Sequence, residues 1–338
     1  MTIREIASLT GVSPAAVSLV INQKKGVSEE TRKRVQNAID QYGYVVSAQK
    51  RKIKKFRLTV MKFRTHGVTI EENQGFIASI IDQIESECRR YTFDLVMCNC
   101  EPKTAEATFR ELMADSPDGV ILIGTELNGS DYALLDLLTV PLVVLDNSMQ
   151  YDDVDSVVMA NASITAAATR YLYEIGHRQI GYFKSSLPIR NCEERYEGYL
   201  RELARLGLTP PEPVLLMPTL GGAYADMKRL LETGAYVPGG AVVADNDTVA
   251  IGAVKAIQEA GFIIPEDLSI VGVDDIPFSA VNMPALTTMR ISRSALGKLA
   301  VDMIRMRIRH PDLPSIHMQI MGSLVVRSST RQSRAKES

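Results

Sequence analysis

The sequence predicts an α/β protein with a small helical unit at the N-terminus and a body of two doubly wound lobes. Three observations carry that prediction. The first 45 or so residues hold three short helical patterns separated by glycine turns. From residue 58 onward, short β-rich apolar runs alternate with helical stretches: LTVMKF, FDLVMC, GVILIG, LVVLD, IGYF, AVVAD and LSIVGVDD. Such alternation gives parallel sheets with helices on both faces. The remaining chain, roughly 270 residues, fits two doubly wound lobes better than one.

Charge separates the same two parts. Residues 1–57 carry 12 Lys+Arg against 4 Asp+Glu, a balance of +8, while the rest carries 26 against 36, a balance of −10. A basic head on an acidic body is the charge pattern of a nucleic-acid-binding unit joined to a globular domain. With 46% hydrophobic residues in 338, the chain can bury sizeable cores. No stretch reaches the roughly 18 uncharged apolar residues of a membrane span. The start, MTIREIASLT, has neither the basic segment nor the apolar run of a signal peptide, so the cytoplasm is the expected compartment. Cys88, Cys98, Cys100 and Cys192 read as reduced, buried thiols. Cys98 and Cys100 have no second ligand pair, so neither a metal nor a cofactor is expected.

In the head, Thr2 and Glu5 form a capping box ahead of an apolar stripe of Ile3, Ile6, Ala7 and Leu9. Gly11 ends that helix. Ser13 then serves as N-cap and Pro14 as the first helical residue of a second helix running to about Asn22. Val17, Val20 and Ile21 give it a buried face and leave Pro14, Ala15, Ser18 and Leu19 outward. Ser28 caps a third helix, with Val35, Ala38, Ile39 and Tyr42 inward and Gly43 at its end. Two short helices across a tight glycine turn, braced by a third, describe a helix-turn-helix.

The segments TIREIASLTGVSPAAVSLVIN, VSEETRKRVQNAI and YGY resemble the headpiece of the lactose/galactose-repressor family, and the likeness runs through the whole chain. The resemblance implies that the second helix lies in the major groove. It places Pro14, Ala15 and Leu19 at base-reading positions, and Thr2, Ser13, Ala16, Ser18, Asn22 and Arg32 among the further DNA contacts, largely to phosphate. All three reading residues are apolar here, which departs from members with polar or basic side chains and shifts readout toward thymine methyls. The alternative is a three-helix bundle that binds protein.

Residues 46–57, VSAQKRKIKKFR, set Ile53 amid Lys50, Arg51, Lys52, Lys54 and Lys55. By resemblance this is a hinge helix that folds on DNA, with Ile53 at the position that wedges into the minor groove and Arg51 at the duplex. A solvated electrostatic tether is the other reading. Val46-Ser47 stands where the family usually has Pro-Asn, and Lys50 where it has a small residue, which makes this hinge more cationic.

The body resembles the periplasmic-binding-protein-like effector domain of the same repressors through VILIG, LVVLDN, GHRQIGYF, RYEGY, ADNDTVAIGAVKAIQEAG, IPEDLSIVGVDD and PALTT. The resemblance implies a helix-turn-helix domain over 1–45, a hinge over 46–57, an N-terminal lobe over 58–159 and 290–318, a C-terminal lobe over 160–289 and 319–331, and a polar tail over 332–338. The ligand then lies between the lobes, where strand ends in open α/β sheets are expected to form a site. Asp146, Arg195, Asn246 and Asp274 match effector-contacting positions, and Tyr224 matches a stacking aromatic. Asp247 is expected to cap the following helix, Asp275 to cap or hold the hinge, and His177 to act as a structural turn residue. Short polar side chains in a cleft suit sugar hydroxyls. Arg293 stands where sugar-binding relatives carry an apolar residue, and Arg190 precedes Arg195 by five; convergence of these guanidiniums would favour an anionic effector instead.

The resulting expectation is a homodimeric regulator, a repressor by family habit, reading a pseudo-palindromic operator in double-stranded DNA under control of a small polar effector. A cytoplasmic small-molecule binding protein without operator control is the alternative, and a transport-type binding protein is opposed by the basic head. An enzyme finds no support: there is no phosphate loop, nucleophile elbow, zinc-protease motif or activated cysteine context. No heptad tail follows the body, so a dimer is the expected end state.

Overall fold

The computed structural model describes residues 2–21, 24–41, 56–73, 75–150 and 152–333. The chain divides into two compact units, Met1–Lys54 and Lys55–Ser338.

The first unit is built from α1 (Ile3–Thr10), α2 (Pro14–Ile21) and α3 (Glu29–Gln41). Thr2 and Glu5 close the capping box at α1, and Gly11 ends the helix in the left-handed conformation at φ 65° with its N–H on the Ala7 carbonyl. That conformation is readily open to glycine, and it turns the chain tightly into α2. Ile6, Ala7, Val17, Val20, Val35 and Ile39 form the core. Leu9 is a correction to the expected stripe. It is exposed, and Thr10 takes the buried place by donating its hydroxyl to the Ile6 carbonyl at 2.6 Å.

The second unit opens with β1 (Arg57–Phe63), α4 (Val68–Glu71), α5 (Phe76–Tyr91), β2 (Asp94–Cys100), α6 (Ala105–Ala114), β3 (Gly119–Ile123), β4 (Leu142–Leu145) and β5 (Asp155–Met159). It continues through α7 (Asn161–Glu174), β6 (Ile180–Ser185), α8 (Arg190–Arg205), β7 (Val214–Leu216), α9 (Leu220–Glu232), β8 (Ala241–Ala244) and α10 (Asp247–Glu259). It ends with β9 (Ser269–Asp274), α11 (Pro277–Val281), β10 (Thr287–Arg290), α12 (Arg293–Arg309), β11 (His317–Ile320) and β12 (Ser323–Val325). Two six-stranded sheets result, ordered β11-β5-β4-β3-β1-β2 and β12-β10-β9-β8-β6-β7. All pairings are parallel except β10 with β12.

In each sheet the strand order reverses beside the first strand: β1 lies between β2 and β3, and β6 between β7 and β8. Doubly wound sheets open a crevice at the carboxyl ends of strands flanking that reversal. The chain passes from the first sheet to the second after β5, returns after β10, and passes over again between β11 and β12. The expected third boundary, at 318/319, falls inside β11, which stays paired with β5 through Ile320. The seven apolar runs named above all become strands. Short β7, β11 and β12, and the crossover strands β5 and β10, complete the sheets among the described residues.

Candidate functional site: a helix-turn-helix face and an interlobe cleft

On the head, the second helix is seated by its own residues. Ser13 Oγ accepts the Ala16 N–H at 3.1 Å, and Pro14 begins the helix. Val17 and Val20 are buried, Pro14 and Ala15 are exposed, and Ala16, Ser18 and Leu19 are half-buried. An apolar-edged face is therefore presented by Pro14 and Ala15, with Leu19 turned only partly out. Thr2 is exposed but occupied at the N-cap. Arg32 donates to the Lys24 carbonyl at 2.8 Å, which ties α3 to the loop after α2. Asn22, Arg51 and Ile53 lie outside the described residues.

In the body, the strand ends bring Asp146, Arg195 and Asp274 together. Asp274 ends β9 at φ 112° and Asp146 follows β4 at φ 65°. Arg195, on the inner face of α8, is buried and fully engaged: Nε donates to Asn161 Oδ1 at 3.0 Å, Nη1 to the Asp245 carbonyl at 2.6 Å, and Nη2 reaches Met159 Sδ at 2.8 Å. Burial opposes its charge, but Asp274, 3.6 Å away, together with Cys192, Asp245 and Tyr182 outweighs that and raises its pKa. Asp146 accepts from Thr125 Oγ1 at 2.6 Å and from Asn191 Nδ2 at 3.0 Å. Burial pushes the Asp146 carboxyl up to about 6 and that of Asp274 up to about 7.

Three expectations change. Asn246, not Asp247, caps α10, accepting the Val249 N–H at 2.8 Å. Asp247 points into the lobe, where its carboxylate accepts from Ile276 N at 3.1 Å and from the hydroxyls of Ser279 and Thr288, each at 2.6 Å. A β-region residue before the helix has its side chain aimed back at the free N–H groups, which is why the first of the pair caps. Tyr224 lies away from the cleft. Its hydroxyl donates to Glu259 at the far end of α10, about 20 Å of helix from Asn246.

Arg195 and Arg293 both come to Asp274, the first 3.6 Å from its carboxylate and the second on its carbonyl, while Arg190 is held elsewhere. Arg190 is held by Glu194 at 3.0 Å and Gln150 at 3.1 Å, and Arg293 donates to the carbonyls of Asp274 and Asp275 at 3.3 and 3.1 Å. Arg293 stays at the mouth of the cleft, with Phe76 of the first lobe 5.8 Å from its centre. Asp275 sits in the hinge: although burial raises its pKa, hydrogen bonds from Arg290 and Arg327, both 2.6 Å, hold the carboxyl below the usual range. His177 binds the Arg331 carbonyl at 3.1 Å, and burial lowers its pKa.

Sequence reasoning missed the residues that support this site. Glu194 accepts from Ser148 of the opposite lobe at 2.5 Å and from Asn161 at 3.0 Å. Asn191 bonds Asp146 across the cleft, and Asp245 takes the Tyr182 hydroxyl at 2.5 Å. The signal was present in RNCEER. Positions 190, 191, 194 and 195 share one helical face and are polar, although that face turns toward the protein. Burial raises the pKa of Cys98 and takes that of Cys100 up to about 12, so both are thiols; no group of metal-ligating side chains occurs among the described residues.

A helix-turn-helix head and a two-lobed body with a polar, carboxylate-floored cleft define a helix-turn-helix regulator with a periplasmic-binding-protein-like body. Residues 2–47 match the family described as bacterial regulatory proteins, lacI family, and residues 169–330 match the periplasmic binding protein-like domain. The HTH-type transcriptional repressor PurR of Haemophilus influenzae (strain PittEE) is 32% identical, over 98% of this chain and 98% of its own. That of Actinobacillus pleuropneumoniae serotype 3 (strain JL03) is 31% identical, with the same shares. Among solved structures, the transcriptional regulator CelR–cellobiose complex matches with TM-score 0.71 and 25% identity, over 97% of this chain and 99% of that one. The lac repressor dimer bound to operator and the anti-inducer ONPF matches with TM-score 0.73 and 24% identity, over 98% and 99%. The chain belongs to the lacI family and is a DNA-binding transcription regulator.

Proposed function

We infer that this regulator is a repressor whose operator affinity is set by a small, polar, uncharged effector, a sugar or a compound with similarly placed donors, bound between the lobes. The observation that carries the reading is the buried Asp274 Oδ1, which has no hydrogen-bond partner. An unsatisfied buried acceptor is unfavourable until a donor arrives, and Asp146 and Asn246 offer further polar atoms at neighbouring strand ends. Arg190, Arg195 and Arg293 already donate to protein groups, and the buried carboxylates of Asp146 and Asp274 disfavour an anion beside them. The names of the PurR relatives support repression.

The reading extends to a homodimer on a pseudo-palindromic operator. The edge strand β2 exposes Val96 and Met97, and α11 and the residues after it expose Phe278, Val281 and Met283; exposed apolar groups of this size mark association surfaces. Coupling follows from unequal affinity of the effector for two lobe arrangements. A thermal-shift screen of sugars, sugar phosphates, nucleobases and organic acids tests the reading, because a ligand that binds only the folded state raises the melting temperature. Stabilisation by anionic compounds alone would overturn it.

A further inference from the structure

The second lobe contains a cavity of about 780 Å³ that is separate from the cleft. It opens where strands begin, beside Arg178, Gly181 and Ala241, whereas the cleft lies where they end, at Asp245 and Asp274. Its cause is local. Along β6, Tyr182 packs into one core and Phe183 into the other, so Gly181 faces the same side as Phe183 and leaves that side unfilled. A Cβ at Gly181 would meet Val242 Cγ2 at 3.8 Å and Pro211 Cγ at 3.9 Å, which is ordinary contact. The sequence thus leaves space that a larger residue could occupy, and empty apolar space lowers stability.

The walls set the chemistry of an occupant. Phe183 and Tyr236 meet edge-on at 5.7 Å, and Leu230 and Val242 complete the apolar lining. The Tyr236 hydroxyl makes no hydrogen bond with another described residue, so it is a donor on offer among the apolar walls, with Thr209 and Gln179 as further polar lining. The arginines at the rim are committed elsewhere: Arg178 lies 3.9 Å from the centre of the Tyr173 ring and donates to the Tyr173 carbonyl, and Arg229 pairs with Asp226. Residues 334–338, RAKES, follow Ser333, whose N–H bonds the Ile175 carbonyl, three residues before the lining Arg178. They carry no large apolar side chain to fill the space.

We propose that this cavity is a second ligand site, which takes an uncharged apolar ring compound bearing one hydrogen-bond acceptor for Tyr236. Occupancy bears on the cleft through β6: Tyr182 lies between the cavity-lining Gly181 and Phe183, and from the other face of the strand its hydroxyl donates to Asp245, whose carbonyl holds Arg195. The probe is prodan, an uncharged naphthalene with one ketone, whose emission shifts to the blue on leaving water. The full chain binds it saturably, one molecule per chain. Gly181→Leu weakens binding by about tenfold or more without lowering the melting temperature, and Tyr236→Phe weakens it about threefold. No saturable binding to the unaltered chain, or unchanged binding in Tyr236→Phe together with any folded Gly181→Leu, overturns the proposal. So does an about tenfold tightening on truncation after Ser333, which would make the tail the occupant. Should Gly181→Leu fail to fold, Tyr236→Phe alone decides.

Discussion

Arg195 Nη2 stands 3.6 Å from Asp274 Oδ1, near enough for charge attraction and too far for a hydrogen bond. The same oxygen is buried without a partner, while the guanidinium's other donors are taken by Asn161 and Asp245. The pair therefore sets an unpartnered carboxylate oxygen beside a buried cation.

Asp274→Ala removes that acceptor and leaves Arg195 its neutral partners. The melting temperature without ligand is expected to fall, because the buried Arg195 charge loses its nearest carboxylate, with the chain still folded. Any effector found by the thermal-shift screen loses its stabilisation, and operator affinity in its absence is kept. Loss of DNA binding along with folding would assign Asp274 a structural role instead.

Glu194 connects the lobes. Its carboxylate takes Ser148 of the first lobe at 2.5 Å, Asn161 at the crossover at 3.0 Å and Arg190 of its own helix at 3.0 Å. Glu194→Ala leaves buried donors unsatisfied, which costs about 1–3 kcal/mol. Urea unfolding of the body is expected to show that loss, and limited proteolysis to show faster cleavage between the lobes. Unchanged values on both measurements would mean that other contacts hold the lobes together.

The buried carboxylates fix a pH dependence. Burial raises Asp247 to about 7, Asp274 to about 7, and Asp146 and Asp245 to about 6. An acid whose folded pKa lies above its unfolded value, about 4, binds protons more tightly when folded. Its contribution to stability is full below about pH 4 and is lost as pH rises through 6 to 7. Glu126, Asp275 and Glu202 act oppositely, because their carboxyls are held below the usual range. Their stabilisation is lost on acidification below about pH 4, so the two groups titrate in separate windows. Between pH 5.5 and 7.5 the melting temperature should fall, and Asp247→Asn should flatten that fall by about 2 °C or more. An identical slope in the variant would remove Asp247 from the account.

Most of the architecture was legible because it rests on periodic patterns. Thr2 with Glu5, Gly11 and Ser13 announce their helix ends by local hydrogen bonding alone, and the seven apolar runs announce their strands by composition. Short strands such as Val214–Leu216 and Ser323–Val325 have too few residues to show a period, so tertiary pairing alone defines them. In the cleft, Asp146, Arg195 and Asp274 were readable by resemblance. Asn191, Glu194 and Asp245 were not, since a polar residue on an amphipathic helix or strand end reads as solvated until its distant partners are in place, the opposite lobe for Asn191 and Glu194 and β6 with α8 for Asp245. The exchange of roles between Asn246 and Asp247 was invisible for a related reason. Both are good caps, and only the hydroxyls of Ser279 and Thr288, far off in sequence, draw Asp247 inward.

The basic segment before the body supplies the last test. Pro14 and Ala15 expose apolar surface on α2, and if they stand at the base-reading positions that the family resemblance implies, sparse readout through hydrogen bonds is expected. Specificity is then expected to draw on deformation of the duplex, to which an apolar wedge between base steps would contribute. QKRKIKKFR holds two large apolar side chains, and since Phe56 packs 5.7 Å from Phe93 in the body, Ile53 is the candidate wedge. Ile53→Ala should weaken binding to a selected operator by about tenfold or more, while binding to random duplex, carried by Lys50, Arg51, Lys52, Lys54 and Lys55, changes little. Gel-shift titrations on both duplexes at two salt concentrations check this. An equal loss on operator and random DNA would leave the segment an electrostatic tether and nothing more.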